Sequence, residues 1–282
     1  MTKIFADSTC DLSQELIARY DVTIVPLHTI LDQDDYLDGV TITPDEIYAW
    51  SDKHKTTPKT SALNIEEVIA KIKPVLDAGD DIIFFTISAS MSTTINVIKM
   101  AAEELDAADR VRVIDSANLS TGIGLQIIAA AEMLDEGKSA ADVVAEIEAI
   151  KPKVRASFVV DTLIYLYRGG RCSGLAAMAG GVLKLHPKIV VENGAMHPDK
   201  KYRGRIGRAI LNYVKDMEAD ILTARPEHIF ITHSGCDQEL IDEIKTYLEN
   251  TNHFKEIHIT RAGSVISSHC GPGTLGVLYI AG

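Results

Sequence analysis

Two short stretches of this 282-residue chain are crowded with hydroxyls. Thr56-Thr57-Pro58-Lys59-Thr60-Ser61 lies just ahead of a helix start, and Ser88, Ser90, Ser92, Thr93 and Thr94 fill the turn after an apolar run. Hydroxyls beside the free N–H groups of a helix N-terminus form a site for an anion such as a carboxylate or phosphate. One such cluster reads equally as N-capping; two at candidate sheet ends favour an anion site. Positive charge is concentrated in two places. Arg168-Gly169-Gly170-Arg171 follows a helical stretch, and Lys200-Lys201-Tyr202-Arg203-Gly204-Arg205 is the densest basic run. Each is either a solvated turn or a local patch that steers an anionic group or an acidic partner surface.

Other chemistries find less support. Gly271-Pro-Gly273-Thr-Leu-Gly276 matches G-x-G-x-x-G, but too few residues follow for the helix, second strand and ribose-binding acid of a dinucleotide site. Pro272 also removes a backbone donor. These glycines are expected to let the backbone approach something beside His269. Walker A, His-Glu-x-x-His and Gly-x-Ser-x-Gly patterns are missing from the sequence. The histidines show no metal-ligand spacing: His253 and His258, on or near a strand, fall on opposite faces. No metal or cofactor is expected. His28, His54 and His197 read as surface or loop histidines, and His233 as a strand-end residue of the core or an interface. A hydrolase triad such as Ser92, His269 and Asp115 can be drawn, but a triad is a geometry and not a composition.

The elements that must position these groups alternate strand and helix in the first half. Strands are expected at 3–6, 22–27, 81–87 and 111–115, and helices at about 13–20, 64–76, 92–105, 121–136 and 139–150. Thr43-Pro44-Asp45-Glu46 is a capping box that starts a helix to about His54, and residues 31–39 read as a hairpin-like excursion. Repeated β–α units imply a parallel, Rossmann-like sheet with helices on both faces, whose ligands bind at the carboxyl ends of the strands. Asp7-Ser8-Thr9, the Ser88–Ser92 turn and Asp115-Ser116-Ala117-Asn118 lie at those ends. The second half reads as an α+β domain with a mixed or antiparallel sheet. Its expected strands are 156–160, 188–191, 228–233, 254–259, 264–269 and 276–280. Its expected helices are 161–168, a small-residue helix after Ser173, 203–219 and 237–248. The fold class is therefore α/β in two domains, 1–155 and 156–282.

The formal charge of −12 speaks against nucleic acid, which needs clustered cations, and against an anionic membrane surface. No apolar run reaches the roughly 18 residues of a membrane span. The start lacks the apolar region of a signal peptide, and Cys10, Cys172, Cys236 and Cys270 form no Cys-x-x-Cys pair. A cytoplasmic protein with packed, reduced thiols is expected.

Taken in order along the chain, five motifs resemble the DegV family of fatty-acid-binding proteins. Asp7-Ser-Thr-Cys-Asp-Leu12 is similar to its opening D-S-T-x-D-L, Lys59-Thr60-Ser61 to its T-S segment, and 87–96 to its I-S-S-G-L-S-G-T-Y-N turn. Asp161-Thr162-Leu163 with Arg168-Gly-Gly-Arg171 resembles D-T-L…(K/R)-G-G-R-I, and 269–276 resembles H-x-G-P-G. The turn departs from the pattern at Ala89, Ser90, Met91, Thr93 and Ile95, and Cys172 replaces Ile.

The resemblance implies two α/β domains with a long-chain fatty acid, such as palmitate, buried in a tunnel. It implies that Thr60 and Ser92, with Ser61 and Thr93 beside them, hold the carboxylate, and that His269 and Arg171 lie around the head group. It further implies a carrier, not an enzyme with catalytic residues of its own, that presents the acid to a separate fatty acid kinase subunit for acyl phosphate formation. Arg203 and Arg205 are the expected kinase contacts. The alternative is a hydrolase or transferase acting on an acyl or phosphorylated small molecule at the same cleft.

Overall fold

The computed structural model describes residues 1–172 and 185–282; the small-residue helix expected after Ser173 lies outside the described residues. The first half runs β1 (Thr2–Asp7), α1 (Gln14–Arg19), β2 (Val22–Val25), β3 (His28–Leu31), β4 (Asp34–Leu37), α2 (Pro44–His54), β5 (Lys59–Ser61), α3 (Ile65–Asp77), β6 (Asp81–Thr86), α4 (Thr94–Glu104), β7 (Val111–Asp115), α5 (Thr121–Asp135) and α6 (Ala140–Ile150). Four strands form a parallel sheet in the order β2-β1-β6-β7. The apolar run of β6 is explained by burial on both faces. Phe84 joins Phe5 and the helical Ile72 and Ile98 on one side, while Phe85 joins Ile4 and Ile123 on the other. The capping box of Thr43 and Glu46 forms with Pro44 at its start. The hairpin excursion becomes a three-stranded antiparallel sheet, β4-β3-β5.

The second half runs β8 (Val154–Val159), α7 (Ile164–Gly169), β9 (Leu185–Glu192), β10 (Ala195–Arg203), α8 (Ile206–Asp216), α9 (Glu218–Ile221), β11 (Ala224–His233), α10 (Gln238–Asn250), β12 (Glu256–Arg261), α11 (Ser264–Cys270) and β13 (Leu275–Ala281). Its strands form a mixed sheet in the order β10-β9-β8-β13-β11-β12, antiparallel except for the β11–β12 pair. α8 and α10 cover one face through Ile210, Tyr213, Ile244 and Leu248. The opposite face, through Phe158, Phe230 and Leu278, shares one core with α5 and the parallel sheet. α5 is thus apolar nearly all round, as a helix enclosed between two sheets must be.

Two elements of the second half depart from the sequence reading. Residues 264–269 form a helix, α11, and not a strand. Serines disfavour helix interiors because their hydroxyls compete for the backbone. Here that competition is absorbed: Ser268 donates to the Ser264 carbonyl at 2.7 Å and Ser267 to that of Ala262 at 3.2 Å. The strand β10 was not expected at all. It is a polar sheet edge with a register shift between Pro198 and Lys201, and edge strands carry proline and charge instead of the alternation that marks buried ones.

Candidate functional site

The hydroxyls of the first cluster do not precede a helix directly. Thr60 and Ser61 lie on β5, with Thr60 opposite Thr29 of β3; the cap of α3 is Asn64, boxed with Glu67. Thr60 is half-buried and Ser61 exposed. In the second cluster Ser92 Oγ accepts from the amide of Thr94, the first residue of α4, at 3.3 Å and lies 2.9 Å from Thr94 Oγ1. Thr93 is exposed and makes no side-chain cap. Ser88 is buried and donates to the Gly194 carbonyl at 2.7 Å, tying this turn to the second half of the chain.

His269, in the last turn of α11, meets Thr60: Nε2 lies 2.8 Å from Oγ1. Its Nδ1 is buried without a hydrogen-bond partner and faces Gly169, where an added Cβ would fall 2.3 Å away. Burial, reinforced by the Arg171 charge, pushes the His269 pKa down to about 4, so the ring is neutral at pH 7. Arg171 is exposed and donates to the Gly169 carbonyl at 2.6 Å. The close approach expected of the C-terminal glycines is made by Gly271, whose Cβ would lie 2.6 Å from the Tyr165 ring.

Thr60, Ser61, Ser92, Arg171 and His269 all line one cavity; Thr93, Arg203 and Arg205 do not. The cavity holds about 880 Å³ of empty space, its open mouth included. Its apolar wall comes from both halves of the chain: Leu27, Ile87 and Met91 from the first, Phe158, Leu166 and Leu278 from the second. An apolar wall with a few convergent polar groups is the form of a small-molecule site. The imagined triad is not assembled. His269 pairs with Thr60, Ser92 with Thr94, and Asp115 accepts from the amides of Ala89 and Ala117.

The family model for DegV matches residues 1–282. The chain belongs to the DegV family. A DegV domain-containing protein of Clostridium perfringens is 31% identical over 280 residues, covering 99% of this chain and 98% of the relative. Among solved structures it is similar to a fatty-acid-binding DegV family protein of Thermus thermophilus (TM-score 0.90, 30% identity, 99% of each chain). It is also similar to a stearic acid-binding protein of Eubacterium ventriosum (TM-score 0.87, 30% identity, 100% of this chain and 98% of the other), and to DegV, a fatty acid binding protein of Bacillus subtilis (TM-score 0.86, 27% identity, 100% and 99%). The mixed α/β architecture expected above is that of these DegV structures. Among the described residues no helix is long and apolar enough to cross a membrane.

In this DegV chain the opening motif works behind the cavity. Asp7, at the end of β1, accepts from the Ile87 amide at 2.8 Å and the Thr9 amide at 3.0 Å. Asp11 accepts from Ser120 Oγ and, at 2.8 Å, from the Gly263 amide. Asp38 accepts from Ser8 Oγ at 2.8 Å and the Ser264 amide at 2.6 Å. All three are buried and paired with neutral donors, so burial raises their pKa values, that of Asp7 to about 6. Asp11 and Asp38 tie down the start of α11, the helix that carries His269, while Asp7 ties β1 to the turn after β6. Sequence reasoning missed Asp38, and the signal was thin: one acid after a strand. It also missed Thr232 and Ser234, cavity-lining hydroxyls at the end of β11 beside His233. Their hydrogen bonds go to Thr121, Thr260, Gly271 and Thr274. His28, expected at the surface, is buried between Asp35 (2.8 Å) and Glu67 (2.9 Å).

Proposed function

We propose that this chain binds a long-chain fatty acid such as palmitate in this cavity. The carboxylate lies at the end marked by Thr60, Ser61 and Ser92, with Arg171 and His269 beside it and Thr93 next to Ser92 in the chain. The observation that carries the reading is a cavity with an apolar wall from both halves of the chain, whose lining also includes Thr60, Ser61, Ser92, Arg171 and His269. Similar DegV structures described as fatty-acid-binding support it. Burying about 14 methylenes at roughly 0.8 kcal/mol each contributes on the order of 11 kcal/mol before ordering costs, so the apolar wall supplies affinity and the polar end orientation. A buried lone pair without a partner is tolerated better than an orphaned N–H. His269 therefore carries its proton on Nε2 and donates to Thr60 Oγ1, which leaves the Thr60 hydroxyl free to donate to the carboxylate.

We read the two halves as domains, 1–155 and 156–282, that share one acyl chain. The protein is a cytoplasmic carrier with no cofactor, and a separate fatty acid kinase subunit phosphorylates the carboxylate it presents; Arg203 and Arg205 contact that subunit. Denaturing extraction and mass spectrometry are expected to return a stoichiometric C14–C18 acid. Each hydrogen bond to a charged group is worth about 1.5–3 kcal/mol. Thr60→Val with Ser92→Ala should therefore cost at least about 100-fold in affinity while circular dichroism stays native. Unchanged affinity removes the head-group assignment. An empty protein that turns over an ester or phosphate ester unaided replaces the carrier with the hydrolase or transferase reading.

A further inference from the structure

Away from the cavity, the parallel pairing of β11 and β12 sets His228 opposite Glu256 and Phe230 opposite His258. Side chains two residues apart share a face of a sheet, so His228, Glu256 and His258 stand on one face although they come from two strands. Ligand spacing in the sequence cannot reveal such a set. His228 Nδ1 lies 3.0 Å from His258 Nε2, and Glu256 Oε2 lies 3.9 Å from the same nitrogen. The three residues can each offer a ligand atom within 4.8 Å of one another. None of them lines the fatty-acid cavity.

The surroundings orient the imidazoles as ligands. Glu132 of α5 sits 3.0 Å from His228 Nε2. A carboxylate there accepts from the Nε2–H and leaves the Nδ1 lone pair turned to His258, the arrangement that commonly orients metal-bound histidines. Both imidazole side chains are about 10% exposed, at 10% and 11%. Phe230 packs against the His258 ring at 4.7 Å between centroids. Two nitrogens bound tetrahedrally at about 2.0–2.1 Å stand roughly 3.3 Å apart, so the observed 3.0 Å needs only a few tenths of widening. Beside the site runs a groove lined by His228, Glu132, Glu136, Glu146 and Glu227, against the cations Lys138 and Arg225. Its excess of carboxylates attracts cations and its open side admits water. Glu256 is held by Arg19 at 2.6 and 2.8 Å, so it must share its carboxylate or turn one oxygen to the ion.

We propose that His228 Nδ1, His258 Nε2 and the Glu256 carboxylate bind a divalent transition metal of the zinc class, with Glu132 positioning His228 and water completing a tetrahedron. Imidazole with one carboxylate suits Zn²⁺, Ni²⁺ or Cu²⁺ and not Mg²⁺ or Ca²⁺. On binding, His258 loses the Nε2 proton to water and takes one up at Nδ1, so the ring stays a neutral imidazole with its Nε2 lone pair on the ion. The ion joins β12, an edge strand, to β11, and through Glu132 to α5.

The test is calorimetric titration of tag-free, chelator-stripped full-length protein with ZnCl₂, with Co²⁺ as a spectroscopic probe. One equivalent should bind, and Co²⁺ should give the intense visible bands of a tetrahedral site. His258→Ala and, separately, Glu256→Gln should weaken Zn²⁺ binding on the order of 100-fold and abolish the Co²⁺ bands. Glu132→Gln should weaken it roughly 10- to 100-fold at unchanged stoichiometry. Fatty acid content and circular dichroism should stay unchanged in all three, which keeps this result separate from the reading of the cavity. Lack of saturable binding, or one-equivalent binding that survives both His258→Ala and Glu256→Gln, would overturn the proposal.

Discussion

His269 stands between the Thr60 hydroxyl and the backbone of Gly169 with no spare space on the second side. A Cβ at Gly169 would fall 2.3 Å from Nδ1, so Gly169→Ala must displace the imidazole or the α7 terminus. The variant is expected to lose the Thr60 contact and to bind fatty acid about tenfold or more weakly, read by competition with a fluorescent fatty acid. Two buried groups, His269 and, at the end of β1, Asp7, also titrate in opposite senses. His269, pushed down to about 4 by burial and Arg171, binds its proton more weakly in the folded than in the unfolded protein. Its contribution to stability is therefore lost as pH falls from about 6.5 towards 4. Asp7, pushed up to about 6 by burial, holds its proton more tightly when folded, so stability is lost as pH rises from about 4 to 6. Each amounts to about 3 kcal/mol across its window. Urea denaturation should show His269→Gln gaining stability at pH 4 relative to pH 7 compared with the parent protein, and Asp7→Asn losing it. Equal slopes in the two variants would rule out this pairing.

At the scale of elements, α11 holds His269 in place only because its first turn is tied down. The Ser264 amide reaches Asp38 at 2.6 Å and the Gly263 amide reaches Asp11 at 2.8 Å. Asp38→Ala leaves the Ser264 amide and the Ser8 hydroxyl without their acceptor. It is expected to cost about 1–3 kcal/mol and to raise amide hydrogen exchange over 262–270 above that of β13. Exchange confined to other segments would show that the tie is dispensable. The same element marks where the sequence stopped being legible. The parallel strands and α2–α6 announce themselves through apolar runs, helical periodicity and capping boxes, which are local signals. α11 is serine-rich, and its helical state depends on back-bonding and on acids far away in the chain. β10 lacks alternation because it is an edge. Thr60, Ser92, Arg171 and His269 were each visible as residues, through motif order. What the sequence could not display was that β5 and α11 bring Thr60 and His269 into contact, or that Asp38 supports that contact. Such facts belong to tertiary packing.

At the scale of the whole molecule, the proposed kinase would have to reach a largely buried site from the surface. β10 connects the two. Met196, near its start, lines the cavity, while Arg203 at its end and Arg205 just beyond are exposed. Arg203 is seven residue steps along the strand from Met196, roughly 23 Å. Under the proposed function, a kinase engaging the basic end would span a footprint of ordinary interface size before it reached the head group. On a chain of net charge −12, such a local basic run gives orientation and encounter rate more than chemistry. Lys200 is already paired with Asp216 at 2.6 Å; Arg203 and Arg205, both exposed, are the cations to test. Arg203→Glu with Arg205→Glu is expected to raise the KM of the kinase for the loaded carrier on the order of tenfold, with kcat unchanged. The effect should shrink at high ionic strength, because an exposed contact is screened beyond about 10 Å at 0.1 M salt. The content of bound acid, measured by mass spectrometry, should equal that of the parent protein. A fall in kcat without a change in KM would place these arginines at the reacting end instead, and an unchanged KM would remove them from the kinase contact.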